Sequence, residues 1–210
     1  ISLPDDVRQA ICTTAVKAAE AIGYENAGTI EFLVDRDNNF YFMEMNTRLQ
    51  VEHPVSEMVT GIDIVQEQIN IAQGLPLSIK QDDVKIEGLA IECRLNAEDP
   101  KQNFMPSSGP IDHLILPSGG LGLRVETALY QGYYLPPFYD SMAGKIITYH
   151  KDPEKAFRLM NRALYEVSVE GIHTNVELLQ ALINHPDVQA DNVDTKWIED
   201  VFMPEWLEKN

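Results

Sequence analysis

Phe42-Met43-Glu44-Met45-Asn46-Thr47-Arg48-Leu49-Gln50-Val51-Glu52-His53-Pro54 alternates polar and apolar residues. If the segment is extended throughout, successive side chains point to opposite faces. Glu44, Asn46, Arg48, Gln50 and Glu52 then converge on one face, backed by Met43, Met45, Leu49 and Val51 on the other. Two carboxylates, two amides and a guanidinium on one face suit the binding of a cation and an anion side by side. Arg48 is a permanently charged planar fork matched to bicarbonate or phosphate. Glu52 is a candidate general base, a role that requires its surroundings to tune a weakly basic carboxylate. Taken singly, an Arg–Glu pair at this spacing is more often a structural ion pair. His53 stands just before Pro54 and is read as fixing the local chain.

The partner for this face lies upstream. Thr29 to Val34 alternates, with Ile30, Phe32 and Val34 on one side and Thr29, Glu31 and Leu33 on the other. The turn-rich Asp35-Arg36-Asp37-Asn38-Asn39 follows, and Phe40 to Met45 returns as the second strand of a hairpin. Centring the turn on Asp37-Asn38 sets Glu31 directly across from Glu44, with the two carboxylates about 5 Å apart. Facing like charges are destabilising unless a proton or a cation intervenes. Asn46 adds a third oxygen, so a hard divalent cation such as Mg²⁺, completed by water and phosphate oxygens, is the expected occupant. Solvated carboxylates are the bland alternative.

The elements that must carry this face follow from periodicity. Pro4-Asp5-Asp6 opens a helix bearing Val7, Ala10, Ile11, Ala18 and Ile22 and ending at Gly23. After Pro54 the apolar spacing is helical, interrupted near Gly61, restarted by Asp63 with Gln66 as a capping box, and stopped by Gly74 and Pro76. A polar stretch from Ser78 to Lys85 precedes a domain boundary expected close to Glu87, giving domains at 1–87 and 88–210. Strand character at 88–95, 111–116, 121–127 and 144–149 predicts a small antiparallel sheet. Asp152-Pro153 predicts a helix through about Val169, Thr174 with Glu177 a second capping box, and a last helix covers about 195–208. The glycines of Ser118-Gly119-Gly120-Leu121-Gly122 lack a P-loop lysine and a following helix, and read as a hairpin turn.

Composition sets outer bounds. With 44% hydrophobic residues, the chain can bury a core, and a net charge of −17 argues against nucleic acid or an anionic membrane as partner. A nucleotide would need local positive charge from a metal ion and placed arginines. Cys12 and Cys93 have neither metal-ligand spacing nor a leader upstream, which fits a reducing, cytoplasmic setting. No run approaches the ~18 apolar residues of a membrane span. The chain starts at Ile1 without an initiator Met, so it is expected to begin inside a longer polypeptide.

The segment from Phe42 to Val55, with Glu57 and Thr60-Gly61, closely resembles the signature of the biotin-dependent carboxylases among ATP-grasp enzymes. The resemblance continues through Glu92-Cys93-Arg94-Leu95-Asn96-Ala97-Glu98-Asp99-Pro100, Tyr139-Asp140-Ser141-Met142 with Gly144-Lys145, and Gly171-Ile172-His173-Thr174-Asn175. It implies an α+β fold, the second half of an ATP-grasp core followed by the small carboxyl-terminal domain of biotin carboxylase. It also implies Mg²⁺ or Mn²⁺ on the ATP phosphates at Glu31, Glu44 and Asn46, and bicarbonate at Arg48, Gln50 and the backbone of Val51, with Glu52 as its base. Arg94 matches a position that contacts biotin and bicarbonate, and Leu33 one that packs on adenine. The implied reaction is carboxylation of carrier-bound biotin through carboxyphosphate, the first half-reaction of acetyl-CoA carboxylase in fatty acid biosynthesis. The implied partners are the biotin carboxyl carrier protein, the carboxyltransferase subunits and a second copy. The family's amino-terminal domain, lid and phosphate-binding lysines fall before the matched segment, so this stretch is expected to be inactive alone. Carboxylate–amine ligases share the acid pair and Asn but not the Arg48-to-His53 continuation. A dimer-forming scaffold is the reading from a different class.

Overall fold

The computed structural model describes residues 3–209. The chain divides into two compact units, Ile1–Lys85 and Ile86–Asn210.

The first unit opens with helix α1 (Asp5–Ala21), its first turn carrying Asp5 and Asp6 against the positive end of the helix dipole. Gly23, at φ +63°, turns the chain out of the helix. Strands β1 (Thr29–Val34) and β2 (Phe40–Asn46) form an antiparallel hairpin. Asp35 organises its loop. One carboxylate oxygen accepts from the backbone of Asp37 at 2.9 Å and of Asn39 at 2.8 Å, the other from the Asn39 amide at 3.0 Å. Those bonds, the Asn39 side chain's foremost, hold the Asp35 carboxyl below its ordinary value.

Glu31 does pair with Glu44, though by a different route from the one expected. Val34 pairs with Phe40, so the loop is centred on Asp37 alone, and the register at Phe32 is with Phe42. Met43 is then an extra residue, a bulge that shifts the pairing by one before Glu31. The two offsets cancel. Beyond Asn46 the chain is no longer a strand: Thr47 to Glu52 forms an irregular turn into helix α2 (His53–Thr60). Gly61, at φ +73°, ends α2, and Asp63 caps helix α3 (Ile64–Ala72) by accepting from Gln66 N at 2.8 Å. Glu57, buried in α2, accepts from Ile64 N at 2.7 Å and joins the two helices.

The second unit follows the chain through β3 (Leu89–Asn96), β4 (Glu98–Asp99), β5 (Met105–Pro106), β6 (Gly109–Pro110), β7 (His113–Ile115), β8 (Leu123–Thr127), β9 (Tyr134–Leu135) and β10 (Met142–His150). Helix α4 (Pro153–Tyr165), β11 (Ser168–Glu170), and helices α5 (Val176–Ile183), α6 (Pro186–Gln189) and α7 (Met203–Lys209) complete it. The main sheet is antiparallel in the order β3-β10-β8, and α4 lies against it. Cys93, Ile146, Met160, Ala163, Leu164 and Ile183 fill the layer between sheet and helices. A second cluster centres on Leu95, Ile111 and Ile172, and a third on Leu178, Trp197, Phe202 and Trp206.

Five local expectations are corrected. The 111–116 segment does not join the main sheet. Its strand β7 pairs with β11, and the predicted helix through Val169 ends at Tyr165 to release that strand. The glycines from Gly119 to Gly122 therefore connect two different sheets and are not a hairpin turn. Asn175, not Thr174, is the N-cap of α5, and its side chain makes no cap bond because it is engaged elsewhere. The last helix is split, a π-helical turn at Ile198–Phe202 preceding α7.

Candidate active site

The hairpin and the turn after it build one connected group of polar side chains. Asn46 Nδ2 donates to Glu31 Oε1 at 2.8 Å and to Glu44 Oε1 at 3.3 Å, so one amide bridges the paired carboxylates. Gln50 Nε2 donates to the same Glu31 oxygen at 3.1 Å. Arg48 Nη2 donates to Asn46 Oδ1 at 3.3 Å, and its Nη1 to Leu49 O at 3.3 Å. The donors offset the repulsion of two carboxylates on facing strands. Glu31, Asn46 and Gln50 are partly buried, whereas Glu44, Arg48 and Glu52 are exposed.

The shared face survives the loss of the strand. Arg48 and Gln50 reach back from the turn to Asn46 and Glu31, while Glu52 occupies the N-cap of α2 at φ −81°, ψ 5°. Arg48, Gln50, Glu52, His53, Gly28 and Ile64 line a cleft of about 450 Å³. The turn itself is braced locally: His53 Nδ1 lies 2.7 Å from Gln50 O, and His53 N donates to Gln50 O at 3.3 Å. Val51 is partly buried within that turn. Leu33 lies on β1 with 60% of its surface exposed. Among the described residues no group of three or more His, Cys, Asp and Glu could hold a metal ion; Glu31 and Glu44 form a carboxylate pair bridged by the Asn46 amide.

Arg94 belongs to the second unit. It sits on β3 opposite Lys145 of β10, with Nε 3.8 Å from Glu92 Oε1. Lys145 is buried and gives Nζ to Glu126 Oε2 at 2.7 Å, and Arg124 shares the same carboxylate through Oε1. Burial pushes the Glu126 carboxyl up, but bonds from Lys145 and Arg124 outweigh it and hold the carboxyl below its ordinary value. Asn175 clamps the strand beside Arg94, its Nδ2 donating to Arg94 O at 3.0 Å and its Oδ1 accepting from Asn96 N at 2.9 Å. Lys145 and Asn175 drew no role from sequence reasoning. The signal available was a lysine inside the apolar run Ala143 to Ile147, which has to be paired when the strand is buried.

Residues 92–200 match the family model for the biotin carboxylase C-terminal domain, and residues 1–80 the ATP binding domain of the carbamoyl-phosphate synthase L chain. Biotin carboxylase 1 of Bacillus subtilis is 52% identical over 94% of this chain and 44% of its own length. A pyruvate carboxylase subunit from Methanothermobacter thermautotrophicus is 45% identical over 93% of this chain and 39% of its own length. The biotin carboxylase domain dimer of the Hydrogenobacter thermophilus 2-oxoglutarate carboxylase, solved with MgADP, ADP and bicarbonate, superposes with a TM-score of 0.91 at 43% identity, over 98% of this chain and 45% of that one. The chain thus spans less than half the length of these relatives. Its α+β architecture is that of part of an ATP-grasp domain followed by a biotin carboxylase C-terminal domain, and the chain belongs to the biotin carboxylase family.

Proposed function

We propose that this chain forms part of an enzyme that carboxylates carrier-bound biotin with bicarbonate and ATP, a ligase forming a C–N bond. The observation that carries the reading is the hydrogen-bonded group Glu31, Glu44, Asn46, Gln50 and Arg48 beside the cleft that Glu52 also lines.

Glu31, Glu44 and Asn46 fit Mg²⁺ or Mn²⁺ as two carboxylates and an amide brought together by strand pairing, leaving the remaining positions to water and phosphate. When bound, the metal supplies charge neutralisation at the transferring phosphoryl group. Asn46 faces both carboxylates with Nδ2 and Arg48 with Oδ1, so it would give Oδ1 to a cation between the carboxylates with its amide turned over. Arg48, Gln50 and the Val51 backbone would hold bicarbonate, and Glu52 would take its proton as the bicarbonate oxygen attacks the γ-phosphorus of ATP, with ADP leaving and carboxyphosphate formed. Carboxyphosphate then gives CO₂ to N1 of biotin as phosphate departs with the N1 proton. Arg48 steadies the anion that develops on biotin, with Arg94 contacting biotin. Leu33 offers an exposed apolar surface on β1 for the adenine.

The first half-reaction of acetyl-CoA carboxylase, serving fatty acid biosynthesis, is the setting proposed, with the carrier protein and carboxyltransferase subunits as partners and a homodimer as the assembly. The dimer named for the Hydrogenobacter thermophilus domain supports the last point. The match to a pyruvate carboxylase component makes the acceptor of the carboxyl group the detail to test. Two free cysteines are in keeping with a cytoplasmic setting. The test is ATP hydrolysis dependent on bicarbonate and biotin, in this chain joined to the amino-terminal part of the Bacillus subtilis biotin carboxylase. Turnover that ignores biotin would favour a carboxylate–amine ligase, and absence of turnover with intact dimerisation a scaffold.

A further inference from the structure

Across one face of the main sheet of the second unit run three cations and two carboxylates: Glu92 and Arg94 on β3, Lys145 on β10, and Arg124 and Glu126 on β8. Arg94 and Lys145 are direct cross-strand partners, and like charges so placed repel. The face offsets this by placing a carboxylate beside each of the two, Glu126 being shared between Lys145 and Arg124. Glu126 holds Lys145 from the β8 side, and Glu92, two residues before Arg94 and on the same side of the strand, lies under the Arg94 Nε.

The Glu92 side chain is only 6% exposed, whereas that of Arg94 is 49% exposed. A carboxylate withdrawn from water is costly unless a cation compensates it, so the pair ties a buried anion to a half-exposed guanidinium. The Nε of Arg94 lies 3.8 Å from Glu92 Oε1, while about half of the side chain's surface is open to solvent. Asn175 fixes the backbone of the same residue, so both ends of Arg94 are held.

We propose that Glu92 is a positioning residue for Arg94, setting the guanidinium for its contact with biotin. This rests on the proposed role of Arg94. Charge on Glu92, not its volume, is what the role requires. The distance suits a charged pair and is too long for a neutral hydrogen bond.

The test is a double-mutant cycle in the full-length hybrid enzyme described above, reading KM for free biotin, KM for ATP, and the far-ultraviolet circular dichroism of each variant. Glu92→Gln is expected to raise KM for biotin about ten-fold and leave KM for ATP within about two-fold, while adding less than about two-fold in an Arg94→Ala background. Glu92→Asp keeps the charge and is expected to fall between Glu92→Gln and the parent. It also takes the place of Glu92→Gln in the cycle if the neutral variant does not fold. A native-like Glu92→Gln with unchanged KM for biotin, or an effect that adds in full to that of Arg94→Ala, overturns the proposal. If Arg94→Ala itself leaves biotin kinetics unchanged, the role assigned to Arg94 fails first and the positioning role falls with it.

Discussion

The two units differ in what they bury. Among the described residues of the first, Pro54 and Glu57 alone are buried, and Leu33, Tyr41 and Phe42 of the hairpin are 60%, 56% and 62% exposed. The second carries three apolar clusters, with Ile147, Met160 and Leu164 fully enclosed. The hydrogen-bonded polar group and most of the apolar burial therefore fall in different units, although Arg94 lies in the second. The first unit presents the polar group at a turn with little core beneath it, and the second supplies most of the burial that resists unfolding. An apolar hairpin face of this kind gains stability when another surface covers it, and the relatives are more than twice as long as this chain.

Each unit holds one free cysteine, which makes thiol reactivity the sharpest probe of the difference. Cys12 is exposed on α1, while Cys93 is buried in the main sheet and its thiol is pushed up to about 12, chiefly by burial and then by Glu92. Alkylation under native conditions is expected to be faster at Cys12 by about 10³-fold or more, as read by mass spectrometry of labelled peptides. Comparable rates would mean that the second unit opens as readily as the first. Next in size, Glu52→Gln and Arg48→Ala in the full-length hybrid should each lower biotin-dependent turnover by about 10²-fold without shifting the thermal midpoint by more than a degree or two. A large loss of stability in either variant would break the contrast between the units.

Ile147→Val, at a position with 0% exposure, is expected to cost about 1 kcal/mol in chemical denaturation, whereas Val65→Ala, at 41% exposure on α3, should stay within about 0.5 kcal/mol. Both tryptophans, Trp197 and Trp206, lie in the second unit, so their fluorescence follows that unit while circular dichroism follows both. The smallest effect concerns pH. Glu126 is held below its ordinary value of 4.5, so its pairing contributes stability that is present above about that pH and lost as pH falls through its lower folded value. Glu126→Gln should flatten that acid limb by less than about 1 kcal/mol, measured by denaturation between neutral and acid pH. Cys93 has the opposite sign. Its contribution is complete below 9.0 and lost as pH rises toward about 12.

Periodicity located most helices and the hairpin because each has one polar and one apolar side, and the punctuation at Gly23, Gly61 and Gly74 falls where the backbone takes positive φ. Strand pairing in the second unit was less legible. Nothing local distinguishes β7 from the main-sheet strands, and its partner β11 is three residues long at the end of a strong helical pattern. At the site, the residues were visible as a polar face, yet the turn at Thr47 to Glu52 was not. Alternation in sequence looks the same whether a chain continues straight or folds back, and here the side chains of Arg48 and Gln50 bring the group together from a turn. The Glu92–Arg94–Lys145–Glu126 row arises from pairing between strands far apart in sequence, which no local pattern encodes.

The bulge at Met43 separates the hairpin into two mechanically distinct parts. From Val34 and Phe40 outward the pairing follows the loop; from Glu31 and Glu44 inward it follows the carboxylates. The one unpaired residue between them reconciles the two registers, letting a loop centred on Asp37 alone coexist with carboxylates that face each other directly.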